Sequence, residues 1–228
     1  MKHLKLLLAC AAFLSLLAPG AAAEEGSGGS ALTAYLKGVY LEAEGDFLNA
    51  YQYYLYASAR DPGNGRILLR LAKTATEVGD YEDARKYCEE LVRSGAPGPE
   101  ARMILAEVEY RLGNREAALA ALVELRDRSD VPRFSILKFL AKVYRDLGRT
   151  DDARRTLEEA SGLPEADPYV FYELGVIHAE AGKLDEARET LEKAVVIDPD
   201  FAPARLVLAK LYMHLGRREE GKASFREA

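Results

Sequence analysis

Apolar residues are distributed in two ways along this chain. From Leu6 to Ala18 they form a run interrupted once, at Ser15. From residue 31 onward they recur at intervals of three and four, the period of one helix face and not of a strand. A glycine marks the period: Gly45, Gly79, Gly113, Gly148, Gly182 and Gly216 are separated by 34, 34, 35, 34 and 34 residues. Five residues after each glycine stands a small residue, Ala50, Ala84, Ala118, Ala153, Ala187 or Gly221. Four further on comes a larger one, Tyr54, Cys88, Leu122, Leu157, Leu191 or Phe225. The next small or apolar position is Ala57, Leu91, Leu125, Ala160, Ala194 or Ala228. The pattern predicts a helix A, a turn near the glycine and a helix B in each unit. The small residue on B lets the two backbones approach, and the larger ones wedge between units.

Proline placement agrees. Pro62, Pro97, Pro99, Pro132, Pro164, Pro168, Pro199 and Pro203 all fall at or beside unit junctions, where none costs the roughly 3 kcal/mol of a helix interior. The predicted units are 31–64, 65–98, 99–133, 134–167, 168–201 and an incomplete 202–228, six in all. Stacking neighbours, not any single unit, would bury the core.

The unit 168–201 carries Phe171, Leu174, Gly175, His178, Ala187, Leu191, Ala194 and Pro199. This order resembles the tetratricopeptide repeat, and the resemblance spans 31–228. It implies an all-α, right-handed solenoid of helical hairpins with a concave face lined by the A helices. The sequence departs from the pattern at Lys37, which replaces a leucine, and at Arg102 and Arg205, which take the leading aromatic position. Ala75, Glu109 and His178 replace the tyrosine.

The first run reads differently. Lys2 and Lys5 precede it, Pro19 and Gly20 end it, and Ala21, Ala22 and Ala23 supply small residues before Glu24. That is the order of a secretory signal peptide, 1–23, followed by a flexible linker, 24–30. Its 13 residues, apolar except for Ser15, fall short of the roughly 20 of a membrane-spanning helix. An uncleaved anchor, or a lipid on Cys10, remains as the alternative. Cleavage would leave Cys88 as the one cysteine, so an exported chain would carry no internal disulfide.

The 31 basic and 37 acidic residues give a net charge of −6, which argues against a whole-protein grip on nucleic acid. Removing Lys2 and Lys5 with the signal leaves 29 basic residues against 37 and a net charge of −8. Three histidines and two cysteines present no metal-ligand spacing and no catalytic triad order. Cys88 stands in a leucine slot, and the glycines recur as turns. No catalytic residue, cofactor or metal is expected, and the chain reads as no enzyme.

Partner binding is the remaining chemistry. The resemblance implies that the second, fifth, ninth, twelfth and thirteenth positions of each unit face the groove. Partner-contacting residues are then expected at Tyr35, Met103, Tyr110, Lys138, Lys142, Arg145, Tyr169, Tyr172 and Met213. Lys138, Lys142 and Arg145 lie at i, i+4 and i+7, three like charges on one face, which an acidic partner would offset. Alternating signs at Lys73, Glu107 and Lys142, and at Glu77, Arg111 and Asp146, read as a ladder of exposed ion pairs. A convex patch of Tyr51, Tyr53 and Tyr56 is the rival surface. Groove asparagines, which the family's chaperone-binding clamp requires, are absent: Asn49, Asn64 and Asn114 stand elsewhere.

The expected function is an exported, periplasmic or extracellular scaffold that binds a protein or peptide segment, acidic or aromatic, in cell-envelope assembly. No nucleic-acid partner is expected, and membrane contact only through an uncleaved or lipidated N-terminus. The alternatives are a pilotin-like assembly factor for a secretin or pilus, and the N-terminal regulatory arm of a longer enzyme.

Overall fold

A computed structural model of the chain describes residues 30–94 and 98–226. The expected signal 1–23, Cys10, the linker apart from Ser30, Pro97 and Ala228 lie outside the described residues. Within them the chain forms twelve helices and no strand. These are α1 (Ala31–Ala43), α2 (Phe47–Arg60), α3 (Gly65–Val78), α4 (Tyr81–Arg93), α5 (Pro99–Arg111) and α6 (Arg115–Arg126). They continue with α7 (Arg133–Asp146), α8 (Thr150–Ser161), α9 (Pro168–Glu180), α10 (Leu184–Ile197), α11 (Ala202–His214) and α12 (Arg218–Arg226). Each odd-numbered helix packs most extensively on the even-numbered one that follows it, and each hairpin then packs on the next. The fold is an all-α solenoid of helical hairpins.

The periodic glycines close the hairpins. All six have positive φ, from 71° to 87°, a left-handed conformation that costs other L-residues strain. At Gly45, Gly79, Gly148, Gly182 and Gly216 an added Cβ would meet nothing within 4 Å. Glycine is therefore set there by backbone conformation and not by crowding.

Close approach governs a different pair of positions. Ala50, Ala84, Ala118, Ala153 and Ala187 are all fully buried between their two helices. Facing them, Gly38 on α1 leaves room for Tyr54: a Cβ there would lie 2.5 Å from the ring. Gly175 on α9 does the same for Leu191, at 2.6 Å. At the equivalent repeat positions of the three units between, helix A carries Ala72, Ala106 or Ala141 and helix B carries Cys88, Leu122 or Leu157, and all six are buried. Tyr54 is thus the largest wedge and pairs with the smallest opposing residue. Its hydroxyl donates to Glu42 at 2.8 Å, which also holds Arg70 at 2.8 Å.

Side chains fix several helix starts by accepting backbone N–H groups left free in the first turn. Asp46, Asn64, Asp80 and Asp167 cap α2, α3, α4 and α9 in this way. Ser30, the last residue of the expected linker, caps α1 with a 3.2 Å bond from the Thr33 N–H. Pro99 and Pro168 open α5 and α9, where a missing N–H costs nothing.

The core is continuous along the array but has local centres. One gathers α1 to α5 around Tyr54, Leu71 and Val108. A second joins α5 to α9 around Leu122, Leu137, Leu140 and Leu157. A third lies between α10 and α11 around Leu191 and Leu208, with Phe171 and Tyr172 of α9 against it. Cys88 is fully buried, and burial pushes its thiol up to about 12. Phe225, the last in its series, is exposed.

Candidate functional site

Six of the nine expected contact residues come together on α5, α7 and α9: Tyr110, Lys138, Lys142, Arg145, Tyr169 and Tyr172. Two helix starts set the geometry. α7 begins after Pro132, and Phe134, Lys138 and Lys142 follow along it at i, i+4 and i+8, one face of a helix. α9 begins at Pro168, with Asp167 as its cap: Oδ1 accepts from the Val170 N–H at 3.1 Å. The other oxygen, Oδ2, is bonded by the Lys138 ammonium. One carboxylate therefore starts α9 and ties it to α7.

A cleft of about 480 Å³ results, lined by Phe134, Ser135, Lys138, Phe139 and Lys142 of α7 and by Tyr169 of α9. Phe134, Phe139 and Tyr169 are its aromatic walls, and further rings adjoin two of them. Tyr110 meets Phe139 edge-on with centroids 5.4 Å apart, and Tyr169 lies 6.3 Å from Tyr172. Tyr172 in turn meets Phe201 at 5.8 Å. The Lys138 ammonium sits 5.2 Å from the Phe134 centroid and 5.4 Å from that of Tyr169.

The charges around the cleft correct one expectation. Three like charges on one face were expected to need an acidic partner from outside. Two are already offset within the chain. Lys138 is paired with Asp167, and Arg145 with Glu173 and, at 3.3 Å, Glu180. The carboxylates come from the cap and body of α9, beyond α8 in the chain, which the spacing within α7 alone does not reveal. Lys142 differs: among the described residues no carboxylate lies within 4 Å of its ammonium, which rests 4.7 Å from the Tyr110 centroid. Asp146, one turn on, is occupied by the Tyr110 hydroxyl at 2.6 Å and by Arg115 at 3.7 Å.

The Tyr110 and Tyr169 phenols stay protonated at neutral pH. Burial, then the Glu173 carboxylate, pushes Tyr169 up to about 12. Burial and then Asp146 raise Tyr110. Both remain donors.

The other three expected residues lie apart. Tyr35 packs on Tyr54 with centroids 5.8 Å apart and lines a separate hollow with Leu32 and Ile67. Met103 packs against the central core. Met213 is exposed on α11, its sulfur close over Gly221.

The expected ion-pair ladder does not form among the described residues. Lys73 reaches back to Glu42 at 3.6 Å, but Glu107 bonds Arg111 on its own helix at 3.3 Å, not Lys142. The convex tyrosine patch does not form. Tyr51 is buried, its hydroxyl 3.3 Å from Asp83, while Lys37 lies over Tyr53 and Arg60 over Tyr56. Sequence reasoning missed Phe134 and Phe139. The signal was present: Phe134 stands four residues before Lys138, and Phe139 three before Lys142, both helix-face spacings.

Among the described residues, no group of three or more His, Cys, Asp or Glu side chains converges to hold a metal. No described helix is long and apolar enough to cross a membrane.

Helical hairpins in series around a groove define a class of interaction scaffold, and comparison with known proteins identifies the family. A profile described as tetratricopeptide repeat matches residues 41–107 and 178–228, and a second with the same description matches 140–202. The chain belongs to the tetratricopeptide repeat family. A profile described as anaphase-promoting complex, cyclosome, subunit 3 matches 77–160. No curated protein matches the chain by sequence.

Several solved structures share the fold. MamA from Desulfovibrio magneticus RS-1, residues 41 to the end, is 19% identical, with 72% of this chain and 92% of that one covered and a TM-score of 0.64. YrrB, described as a TPR protein with an unusual peptide-binding site, is 20% identical over 79% and 92%, at 0.65. PilF of Pseudomonas aeruginosa is 16% identical over 85% and 88%, at 0.71. At these identities the likeness is one of fold. Proteins of this family act in general as non-catalytic scaffolds for protein interaction.

Proposed function

We propose that this chain is an exported, non-enzymatic scaffold, six repeats long, that holds a protein segment in the groove between α5, α7 and α9 during cell-envelope assembly. The observation that carries the groove reading is the cleft beside Lys142: aromatic walls, with one cation that no carboxylate of the described chain neutralises. Export rests on the order of Lys2, Lys5, the apolar run and the three alanines before Glu24. The peptide-binding site ascribed to YrrB supports a segment as the partner, through a shared fold.

The test places a photo-crosslinking amino acid at Ser135, inside the cleft, and at exposed Glu158 on α8, which does not line it. In the native envelope, position 135 should capture a protein segment and position 158 should not. Equal capture at both would move binding off the groove. Intact mass of the same preparation should show loss of residues 1–23. A full-length mass in the envelope fraction would instead support an anchor.

A further inference from the structure

The groove is not a general acceptor of acidic chains. Its surroundings hold Asp146, Asp167, Glu173 and Glu180, each already bonded to a cation of the chain. Each is also a fixed negative charge that repels an incoming one. Against them stands one ammonium, Lys142, in contact with a ring and, among the described residues, with no carboxylate. The ring holds that ammonium at the cleft edge, so little side-chain freedom is lost when an anion arrives. The cleft floor beside it is apolar, built on Phe134 and Phe139.

We propose that the cleft selects an extended segment with one apolar side chain and one Asp or Glu side chain on the same edge, separated by a single residue. This deepens the groove reading above and rests on it. The apolar side chain lies against Phe134 and Phe139, and the carboxylate pairs with Lys142. The spacing follows from geometry. Along α7 at about 1.5 Å per residue, Lys142 stands about 4.5 Å beyond Phe139 and about 12 Å beyond Phe134. In an extended segment, same-edge neighbours i and i+2 are about 6.8 Å apart, between those limits. Adjacent residues point to opposite edges and cannot fill both places. A side-chain carboxylate is the occupant because one cation is free. Neither Lys138 nor Arg145 is left for the second charge of an acidic terminal residue.

The test uses the full chain and labelled nine-residue peptides, acetylated and amidated, with one Leu and one Asp in a Gly-Ser background. Asp is placed one, two or three residues from Leu, on either side. A spacing of two should bind best, and replacing Asp by Asn should weaken it about fivefold, the upper end for an exposed ion pair. Lys142→Gln should abolish that Asp-over-Asn preference and keep the preference for Leu. Lys142→Glu should transfer the preference to a Lys peptide. Lys142→Gln should move the melting midpoint little, because the Lys142 side chain is exposed and bonds no carboxylate of the described chain, whereas Lys142→Glu, at i,i+4 from Asp146, should lower it slightly. Asp167→Asn retains a helix cap but releases Lys138, and should let a second Asp be accepted.

An Asp preference that survives Lys142→Gln overturns the proposal. So does affinity that ignores spacing, or that tracks total negative charge. So does selection that requires a free C-terminal acid. If position 135 crosslinks a segment lacking the apolar–acid pair, this inference fails and the groove reading stands. If position 135 captures nothing, both fail.

Discussion

Gly38 and Tyr54 show how one residue's size is set by another across a hairpin. A Cβ at 38 would sit 2.5 Å from a ring that is itself fully buried and bonded to Glu42. Gly38→Ala should therefore destabilise by about 1–3 kcal/mol, the usual cost of overpacking. Tyr54→Leu should cost stability too, through lost volume and the lost bond to Glu42. Together they recreate the Ala–Leu pairing found at Ala106 and Leu122. The double variant should then be more stable than the sum of the single losses, by about 1 kcal/mol or more. Urea titration of the four proteins measures this coupling, and strict additivity would show that the two side chains do not compete for the same space. The recurrence of Tyr54 in a leucine slot was readable from periodicity. The compensating role of Gly38 was not, because it depends on which A-helix residue faces which B-helix residue.

At the scale of elements, ion pairs tie successive helices across unit boundaries. Glu159 on α8 is bonded by Arg126 of α6 and, at 2.7 Å, by Arg133 of α7. Burial alone would raise its carboxyl, but the guanidinium groups of Arg133 and Arg126 outweigh it and hold the carboxyl below its ordinary range. A folded-state value below the unfolded one stabilises at pH above the unfolded value, about 4.3. That contribution is lost as pH falls through the folded value. Glu159→Gln should thus lower stability at pH 7 by up to about 1 kcal/mol, since both arginines are partly exposed. The two proteins should converge on acidification to below pH 4. A gap that persists in acid would assign the effect to packing. The helices themselves were legible: hydrophobic period, glycine and proline placed all twelve. The pairings were not. Lys138 and Arg145 read as an uncompensated face because Asp167, Glu173 and Glu180 stand at the start and along the length of α9, two helices on in the chain. Only folding brings those carboxylates to α7, and with it the cleft, its aromatic walls and the isolation of Lys142.

For the whole molecule, stability should be a sum over neighbours and not the property of one centre. A stop after Pro199 deletes α11 and α12 and with them Leu208 and Leu211, which seal Leu191 and Ala194. The truncated chain should stay helical and soluble and melt at a lower midpoint, as circular dichroism would show. Its complete unfolding would mean an indivisible core. The periodic glycine turns give this additivity a mechanical form. At five of the six, space beside the glycine Cα is open, so the turn adds no side-chain packing that would tie one hairpin to the next. A chain pulled from both ends should then lengthen in equal increments. Each released unit of 34 residues adds roughly 110 Å of contour at about 3.3 Å per residue. Under tension the protein would behave as a ratchet of near-identical steps, with its groove surviving until α7 or α9 is itself drawn out.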